Sequence, residues 1–196
     1  MKNFDPFLNL EPLILASASP RRSEILQAVG WPFQKMPVDL DETRVNDESP
    51  ANYVERLAVE KAQAAASKIP RGIVLGADTT VVVDSEILGK PFDETDAHRM
   101  LKSLSGRWHE VLTGVALVQV GEKETRISAI ERTRVKFAEI SDEEIAAYIA
   151  TKEPMDKAGA YAIQGRAALF IERFEGDYWN VMGLPIRLVY NLIKSL

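Results

Sequence analysis

The stretch "LILASASPRR", residues 13–22, brings a short apolar run into a turn built from small hydroxyls, a proline and two arginines. The run Leu13–Ala16 predicts a buried strand, and Arg22–Val29 predicts a helix that ends at Gly30. A strand followed at once by a helix is typical of α/β proteins, in which the connecting turn often carries a working group.

The polar residues of this turn suit a phosphate or polyphosphate. Backbone N–H groups are free at the start of a helix, serine hydroxyls can bind phosphate oxygens, and guanidinium groups form charged hydrogen bonds. Adjacent arginines do not share one helix face, so only one of the pair needs to point inward. The candidate ligands are Ser17, Ser19, Arg21 and Arg22. A capped helix with solvated arginines is the alternative that the local sequence leaves open.

The rest of the chain mixes helical and strand patterns. Ser49 and Pro50 predict the start of a long helix, and Ser141 with Glu144 predicts a capping box. Further helices are predicted from Asp93 to Leu104, from Asp142 to Ala150 and from Pro185 to Leu196, and strands at 73–75, 81–83, 107–120, 124–137 and 168–173. The two long strands form a hairpin around Gly121. The sequence therefore predicts an α/β fold with a mixed β-sheet flanked by helices.

Length and charge limit the classes of function. The 196 residues predict a single domain, with residues 1–12 as an N-terminal extension. The net charge of −5 argues against broad nucleic-acid binding, which needs a basic face. The chain has no cysteine, no signal-peptide pattern and no apolar run long enough to span a membrane. We therefore expect a cytoplasmic protein with no membrane partner.

Two charged residues stand in apolar surroundings. Lys61 lies in the apolar stripe of the long helix, so it either extends outward to solvent or aims its ammonium into an anion pocket. Asp78 follows the short strand at 73–75, in the stretch "LGADTTVVV". It could bind a divalent metal, accept a proton from water, or serve only as a turn residue.

Other polar loops offer weaker signals. Glu42 lies in the polar loop "LDET", Lys90 in the turn "LGKP", and Gln164 in the small-residue loop "EPMDKAGAYAIQG". Small residues allow a backbone to approach a ligand closely. Taken alone, each is more often a surface or turn residue than a ligand.

In this order, the stretches closely resemble the Maf family of nucleoside triphosphate pyrophosphatases. The matching motifs are "LASASPRR", "DE" at 41–42, "EKA" at 60–62, "GADTTV", "LGKP", "LSGR", "TGV" at 113–115, "EPMDKAGAYAIQG" and "GDYWNVMGLP". The resemblance covers the chain from about Leu13 to Leu196. It implies a fold like that of inosine triphosphate pyrophosphatases, and hydrolysis of a nucleoside triphosphate to monophosphate and pyrophosphate with a divalent cation, Mg²⁺ or Mn²⁺.

The resemblance is strongest to the subgroup associated with dTTP and UTP, which has a threonine after the central aspartate and a glutamine in the late loop. Here those residues are Thr79 and Gln164. The sister subgroup, associated with 7-methyl-GTP, would show "SDQ" in place of "ADT".

Roles for the candidate residues follow from this resemblance. The cations Arg21, Arg22, Lys61 and Lys90 would neutralise the triphosphate, with Ser17 and Ser19 orienting it. Glu42 and Asp78 would hold the metal, and Asp78 is also the expected proton acceptor. The expected partner is a small-molecule nucleoside triphosphate, and the sequence leaves a homodimer open. A nucleotide-binding regulator of cell division without turnover is the alternative from a different class.

Overall fold

The computed structural model describes residues 10–45 and 47–196. Residues 1–9 of the expected N-terminal extension lie outside the described residues. The strands are β1 (Leu13–Leu15), β2 (Phe33–Lys35), β3 (Gly72–Val83), β4 (Glu86–Leu88), β5 (Trp108–Val120), β6 (Thr125–Phe137) and β7 (Ile171–Glu175). The helices are α1 (Pro20–Ala28), α2 (Pro50–Ala66), α3 (Glu94–Leu104), α4 (Asp142–Ala150), α5 (Tyr178–Val181) and α6 (Ile186–Ile193). Short 3₁₀ turns occupy Glu153–Asp156, Ala158–Ala160 and Arg166–Leu169.

All seven strands join one sheet in the order β2-β1-β3-β5-β6-β7, with β4 paired to β3. β1 runs parallel to β2 and β3, whereas β3, β5, β6 and β7 pair antiparallel in turn. The helices cover the sheet, so the predicted mixed sheet flanked by helices is confirmed. Within the described ranges, no helix is both long and apolar enough to cross a membrane.

One face of the sheet is covered by α2. The helix begins as predicted, because the Ser49 side chain accepts a hydrogen bond from the Asn52 N–H. α2 lies so close to the sheet that a Cβ on Gly76 would stand 2.1 Å from the Ala58 carbonyl oxygen. A Cβ on Gly114 would stand 2.2 Å from the Val54 carbonyl oxygen. The two glycines therefore let the helix backbone rest directly on β3 and β5.

The opposite face carries the larger part of the core. Near β1, residues of α1 and α6 pack on Leu15, Leu75 and Leu117. Farther along, α3 and α4 pack on Val111 and Phe137. Burial of these apolar side chains fixes α1 over the carboxyl end of β1.

The structure corrects three sequence predictions. β3 is one continuous strand instead of two runs broken at "GADT", because β5 pairs with it from Gly72 to Val82 and satisfies the backbone throughout. Gly76 therefore marks the close approach of α2, not a bend. The strand predicted at 168–173 is wrong in its bounds, since residues 166–169 form a 3₁₀ turn before β7. The short strands β2 and β4 were not predicted.

Candidate functional site

The site lies at a gap in the sheet beside β3. β1 pairs with β3 only as far as Leu15 opposite Leu75, and β4 pairs with β3 only from Val81 onward. Residues 76–80 therefore have β5 as their strand partner on one side and the gap on the other. The helix after β1 packs on one face and the helix before β3 on the other. Ligands bind at such switch points in open α/β sheets.

Asp78 is buried at this gap, in the middle of β3 and not at the end of a strand as the sequence suggested. It belongs with Lys61 and Glu42 to a group that we call the charged cluster. The Lys61 ammonium donates to Asp78 Oδ1 at 2.6 Å, and its distance to Glu42 Oε1 is also 2.6 Å. Lys61 is only 8% exposed, so the alternative in which it extends to solvent is excluded.

The two carboxylates of the charged cluster differ in their titration. Burial raises the pKa of Asp78 above its ordinary value, although Lys61 and Arg22 pull it down. Partial burial also raises the pKa of Glu42, but the hydrogen bond and charge of Lys61 outweigh it, and that pKa lies below its ordinary value. The Lys90 and Arg22 charges contribute less to the same lowering of the Glu42 pKa.

Arg22 enters the gap from the opposite face. It is 8% exposed, and its Nε donates to the Gly183 carbonyl at 2.8 Å. Nη1 donates to Ser17 Oγ at 3.0 Å, and Nη2 donates to Thr79 Oγ1 at 3.1 Å. Burial lowers the pKa of Arg22, yet a guanidinium remains charged in proteins. Among residues 10–45 and 47–196, three of its five N–H groups bind these acceptors, and the other two are available to a ligand.

Arg21 points elsewhere, as expected for neighbouring helix residues. Its Nη1 lies 3.7 Å from Asp156 Oδ2, and Lys157 forms an ion pair with the same carboxylate. These contacts bring the loop at 153–165 beside the start of α1. In the sequence, Asp156 and Lys157 carried no signal stronger than that of ordinary loop charges.

The serines of the turn differ in what they bind. Ser17 is buried, and its hydroxyl accepts both from Arg22 and from the Ser19 N–H, the latter at 3.2 Å. Ser19 is the N-cap residue of α1, and its side chain makes no capping hydrogen bond. Its hydroxyl can therefore serve a ligand at the helix start.

Two predicted ligands lie at the protein surface. Lys90 and Gln164 are both exposed. The Gly159 N–H donates to the Gly89 carbonyl at 2.9 Å, so the Lys90 turn and the loop that carries Gln164 are joined. A role for Gln164 in base recognition stays a prediction.

The charged cluster offers two carboxylates to a divalent cation. Within residues 10–45 and 47–196, no group of three or more His, Asp or Glu side chains is arranged to hold a metal. Glu42 and Asp78 nevertheless converge on one nitrogen. Mg²⁺ is usually bound by one or two carboxylates together with water and substrate phosphates. The pair therefore fits a cation that takes its other ligands from the substrate, and does not form an all-protein cage.

A separate surface depression lies at the N-terminal end of α2. It is a groove of about 520 Å³ whose lining includes Val82, Trp108, Glu110, Arg132 and Arg134. Its arginines pair with carboxylates, Arg132 with Glu110 and Arg134 with Glu175. The gap at β3 combines buried charge with free donors, so we place the functional site there.

Sequence reasoning missed the neutral groups behind Arg22. The Gly183 carbonyl and the hydroxyl of Thr113 support Arg22 and Thr79 from the opposite face. Neither could be singled out, because a backbone carbonyl has no residue signature and Thr113 lies in an otherwise apolar strand. The motifs "TGV" and "GDYWNVMGLP" contained them without indicating their use.

Comparisons with known proteins show relatives that match nearly the whole chain. A protein named dTTP/UTP pyrophosphatase from Symbiobacterium thermophilum is 54% identical, covering 95% of this chain and 94% of its own. Proteins of the same name from Koribacter versatilis and Bacillus cytotoxicus are 53% and 51% identical, each covering 93% of this chain, and 93% and 95% of their own chains. The Ham1 protein of Staphylococcus aureus shares the fold, with a TM-score of 0.53 and 13% identity over 94% of this chain and 99% of that one.

The family assignment rests on nearly the whole chain. The family model described as "Maf-like protein" matches residues 12–196, which include every residue of the gap described above. The relatives at about half identity extend over the same length. This chain therefore belongs to the Maf-like protein family.

Proposed function

We propose that this chain hydrolyses dTTP and UTP to the nucleoside monophosphate and pyrophosphate, with Mg²⁺ or Mn²⁺ as cofactor. The observation that carries the proposal is the gap itself, where Asp78 and Glu42 meet Lys61 within 2.6 Å and Arg22 points in from the other face. The names of relatives at about 50% identity support the same substrates.

The cations of the gap match a triphosphate. Arg22 has two N–H groups left for phosphate oxygens. Arg21 pairs with Asp156 and Lys90 is exposed, so both are proposed to meet the phosphates from the protein surface. Ser17, Ser19 and the free amides at the start of α1 orient the chain of phosphates. Charge increases on the pyrophosphate as it leaves, and fixed positive groups in a water-poor site stabilise that charge strongly. A protein of net charge −5 can therefore bind a polyanion locally.

The products define the bonds that change. A water oxygen forms a bond to phosphorus, the P–O bond between the α and β phosphates breaks, and its electron pair leaves with one product. The water proton goes to Asp78, whose Oδ1 is held by Lys61 and whose Oδ2 can receive it. Glu42 and Asp78 would also hold the divalent cation, which supplies charge neutralisation and polarises a phosphoryl oxygen.

Base preference is assigned to the loop at 153–165. Gln164 is exposed there, and its amide can both donate and accept, which matches the N3–H and O4 edge of thymine and uracil. Cytosine reverses that pattern. A glutamine amide can also rotate to match the cytosine edge, so the expected preference for dTTP and UTP over CTP and the purine nucleotides rests on the names of the relatives.

The partner and location follow from the same reasoning. The nucleotide is the proposed ligand, and nucleic acid and membrane are not proposed as partners, because the chain has a net charge of −5. We assign the protein to the cytoplasm, where its substrates occur, with a homodimer as the assembly to be tested by light scattering.

Release of pyrophosphate from a panel of nucleoside triphosphates tests the proposal. With Mg²⁺ or Mn²⁺ present, dTTP and UTP should give the highest kcat/KM, and removal of the cation with EDTA should abolish release. Tight binding of dTTP without release would favour the alternative, a nucleotide-binding regulator. A preference for CTP or 7-methyl-GTP would leave the reaction standing and overturn the assigned specificity.

A further inference from the structure

A chain of hydrogen bonds runs from Arg22 across the opposite face of the sheet. Arg22 Nη2 donates to Thr79 Oγ1 at 3.1 Å, and Thr79 Oγ1 lies 2.9 Å from Thr113 Oγ1. Thr113 Oγ1 in turn donates to the Asn180 carbonyl at 3.2 Å. Thr113 and Asn180 are both fully buried, so water does not replace these bonds.

The two end groups determine which atom donates and which accepts in each of these hydrogen bonds. A guanidinium only donates and a carbonyl only accepts, whereas each threonine hydroxyl has a single proton. Thr113 gives its proton to Asn180, so it accepts from Thr79, and Thr79 accepts from Arg22. The Gly183 carbonyl at 3.4 Å is the longer alternative for the Thr79 proton. The preferred arrangement uses every hydroxyl proton once.

Asn180 supports Arg22 by a second route. Its Nδ2 donates to the Val111 carbonyl at 2.9 Å and to Thr133 Oγ1 at 3.0 Å, which ties the segment after β7 to β5 and β6. The Gly183 N–H donates to the Asn180 carbonyl at 2.9 Å. That turn presents the Gly183 carbonyl to Arg22 Nε at 2.8 Å. Both routes end on the same guanidinium.

We infer that Thr113 and Asn180 are positioning residues, which fix the plane of the Arg22 guanidinium so that its two free N–H groups face the phosphates. This inference rests on the proposed function of the gap. Neither residue reaches the gap itself, because their contacts lie with Thr79, Gly183 and the strands behind them. Their effect on turnover is exerted through Arg22.

Thr113→Val is the direct test, since it keeps the shape of the side chain and removes only the hydroxyl. Misplacement of a catalytic group by about 1 Å can cost on the order of 100-fold in rate. We expect kcat for dTTP to fall by about 10- to 100-fold with a smaller change in KM. Thr113→Ser restores the hydroxyl and should retain at least about a third of wild-type kcat.

A double-mutant cycle shows whether the effect passes through Arg22. In an Arg22→Lys background, Thr113→Val should change kcat by less than about twofold, because the group that it positions is already gone. Ser103→Ala, which removes a hydroxyl bond to the Met100 carbonyl on α3, is the control and should match the wild type. Thr113→Cys, with a weaker donor, should fall between the Ser and Val variants and replaces Thr113→Val if that variant does not fold.

Wild-type kinetics in Thr113→Val or Thr113→Cys would overturn the inference, as would an equal loss in the Arg22→Lys background. Binding of inorganic pyrophosphate, measured by calorimetry with Mg²⁺ present, separates the two proposals. If the wild type releases no pyrophosphate from dTTP, the proposed function fails. The cycle is then read from pyrophosphate affinity, where Thr113→Val should weaken binding about tenfold only when Arg22 is present.

Discussion

Asp78 and Thr79 are adjacent in β3, yet they take part in opposite kinds of polar structure. Asp78 faces α2 and joins the charged cluster, in which Glu42 has a side chain that is 52% exposed. Thr79 faces the other side and joins a neutral network with Thr113, Thr133 and Asn180. The first consists of ionisable side chains and opens to solvent at one end. The second is largely closed and carries no charge.

The two faces of β3 therefore have different tasks: one holds the groups that react, and the other holds Arg22 in position. Buried charges are costly to desolvate, so they are retained where a ligand or proton must be handled. Neutral hydrogen bonds in a dry interior cost less, and a connected set of them holds one geometry. Within the described residues, Asn180 Oδ1 is the one buried side-chain atom of this network without a partner. A single strand thus places the reacting carboxylate on one face and the support for Arg22 on the other.

The largest expected effect is on the charged side. Asp78→Asn keeps the shape and removes the charge needed for proton transfer and metal binding, so turnover of dTTP should fall at least about 100-fold. The free energy of unfolding should not fall, since the variant no longer buries a carboxylate and Lys61 keeps Glu42 as its ion-pair partner. Steady-state kinetics and urea denaturation check both. Near-normal turnover would contradict the role of Asp78.

Lys61→Met removes the only cation of the charged cluster and puts an apolar side chain in its place. Its removal leaves Asp78 buried without its cation, and breaking a buried pair costs about 3 kcal/mol or more in the free energy of unfolding. Turnover should fall as well. The double variant Lys61→Met with Asp78→Asn should recover most of the stability but no activity. If Lys61→Met alone is as stable as the wild type, the pair is not a buried ion pair in solution.

The neutral face predicts an acid sensitivity of its own. Burial lowers the pKa of His109 to about 3, and its Nε2 lies 2.8 Å from the Tyr161 hydroxyl. In the unfolded chain the imidazole titrates near about 6.5. The unfolded state therefore binds the extra proton below that pH. This contribution to stability is complete above about pH 6.5, and about 2 kcal/mol is lost by pH 5.

His109→Gln keeps a hydrogen-bonding partner for Tyr161 but does not titrate. Urea denaturation at pH 7.5 and pH 5 should show a smaller loss in this variant than in the wild type. Carboxylates elsewhere contribute to both proteins, so the comparison uses only the difference between the two losses. Identical losses would mean that His109 is accessible to protons in the folded protein.

The smallest effect on stability is expected at Arg21. Its ion pair with Asp156 is at the surface and 3.7 Å long, so Arg21→Gln should change the free energy of unfolding by less than about 0.5 kcal/mol. KM for dTTP should rise severalfold. Arg22→Gln is the matched comparison, because it strands the acceptors that Arg22 binds in the interior. If both variants lower the free energy of unfolding equally, Arg21 is not a surface residue or Arg22 is not a buried one in solution.

Charge in an apolar context was the part of the site that the sequence could predict. Lys61 in a helix stripe and paired arginines at a helix start are visible without a structure, and the structure places Lys61 and one of the arginines, Arg22, at the gap. The continuity of β3 could not be read, because Gly76 signals a bend and its purpose depends on a helix that packs across it. The partners of Thr113 also stayed hidden, since Asn180 is 67 residues away.

The seating of α2 on Gly76 and Gly114 has a consequence for how this chain tolerates sequence drift. Where a helix rests backbone against backbone, its height above the sheet is set by main-chain atoms and not by the bulk of its side chains. Modest exchanges among the small residues on its inner stripe would leave the Lys61 nitrogen at the same height over Asp78. Deletion of a single residue of α2 before Lys61 would rotate the ammonium by about 100° away from the gap. The position of the Lys61 ammonium over Asp78 therefore depends on the register of α2 and on the two glycines, Gly76 and Gly114, that set its distance from the sheet.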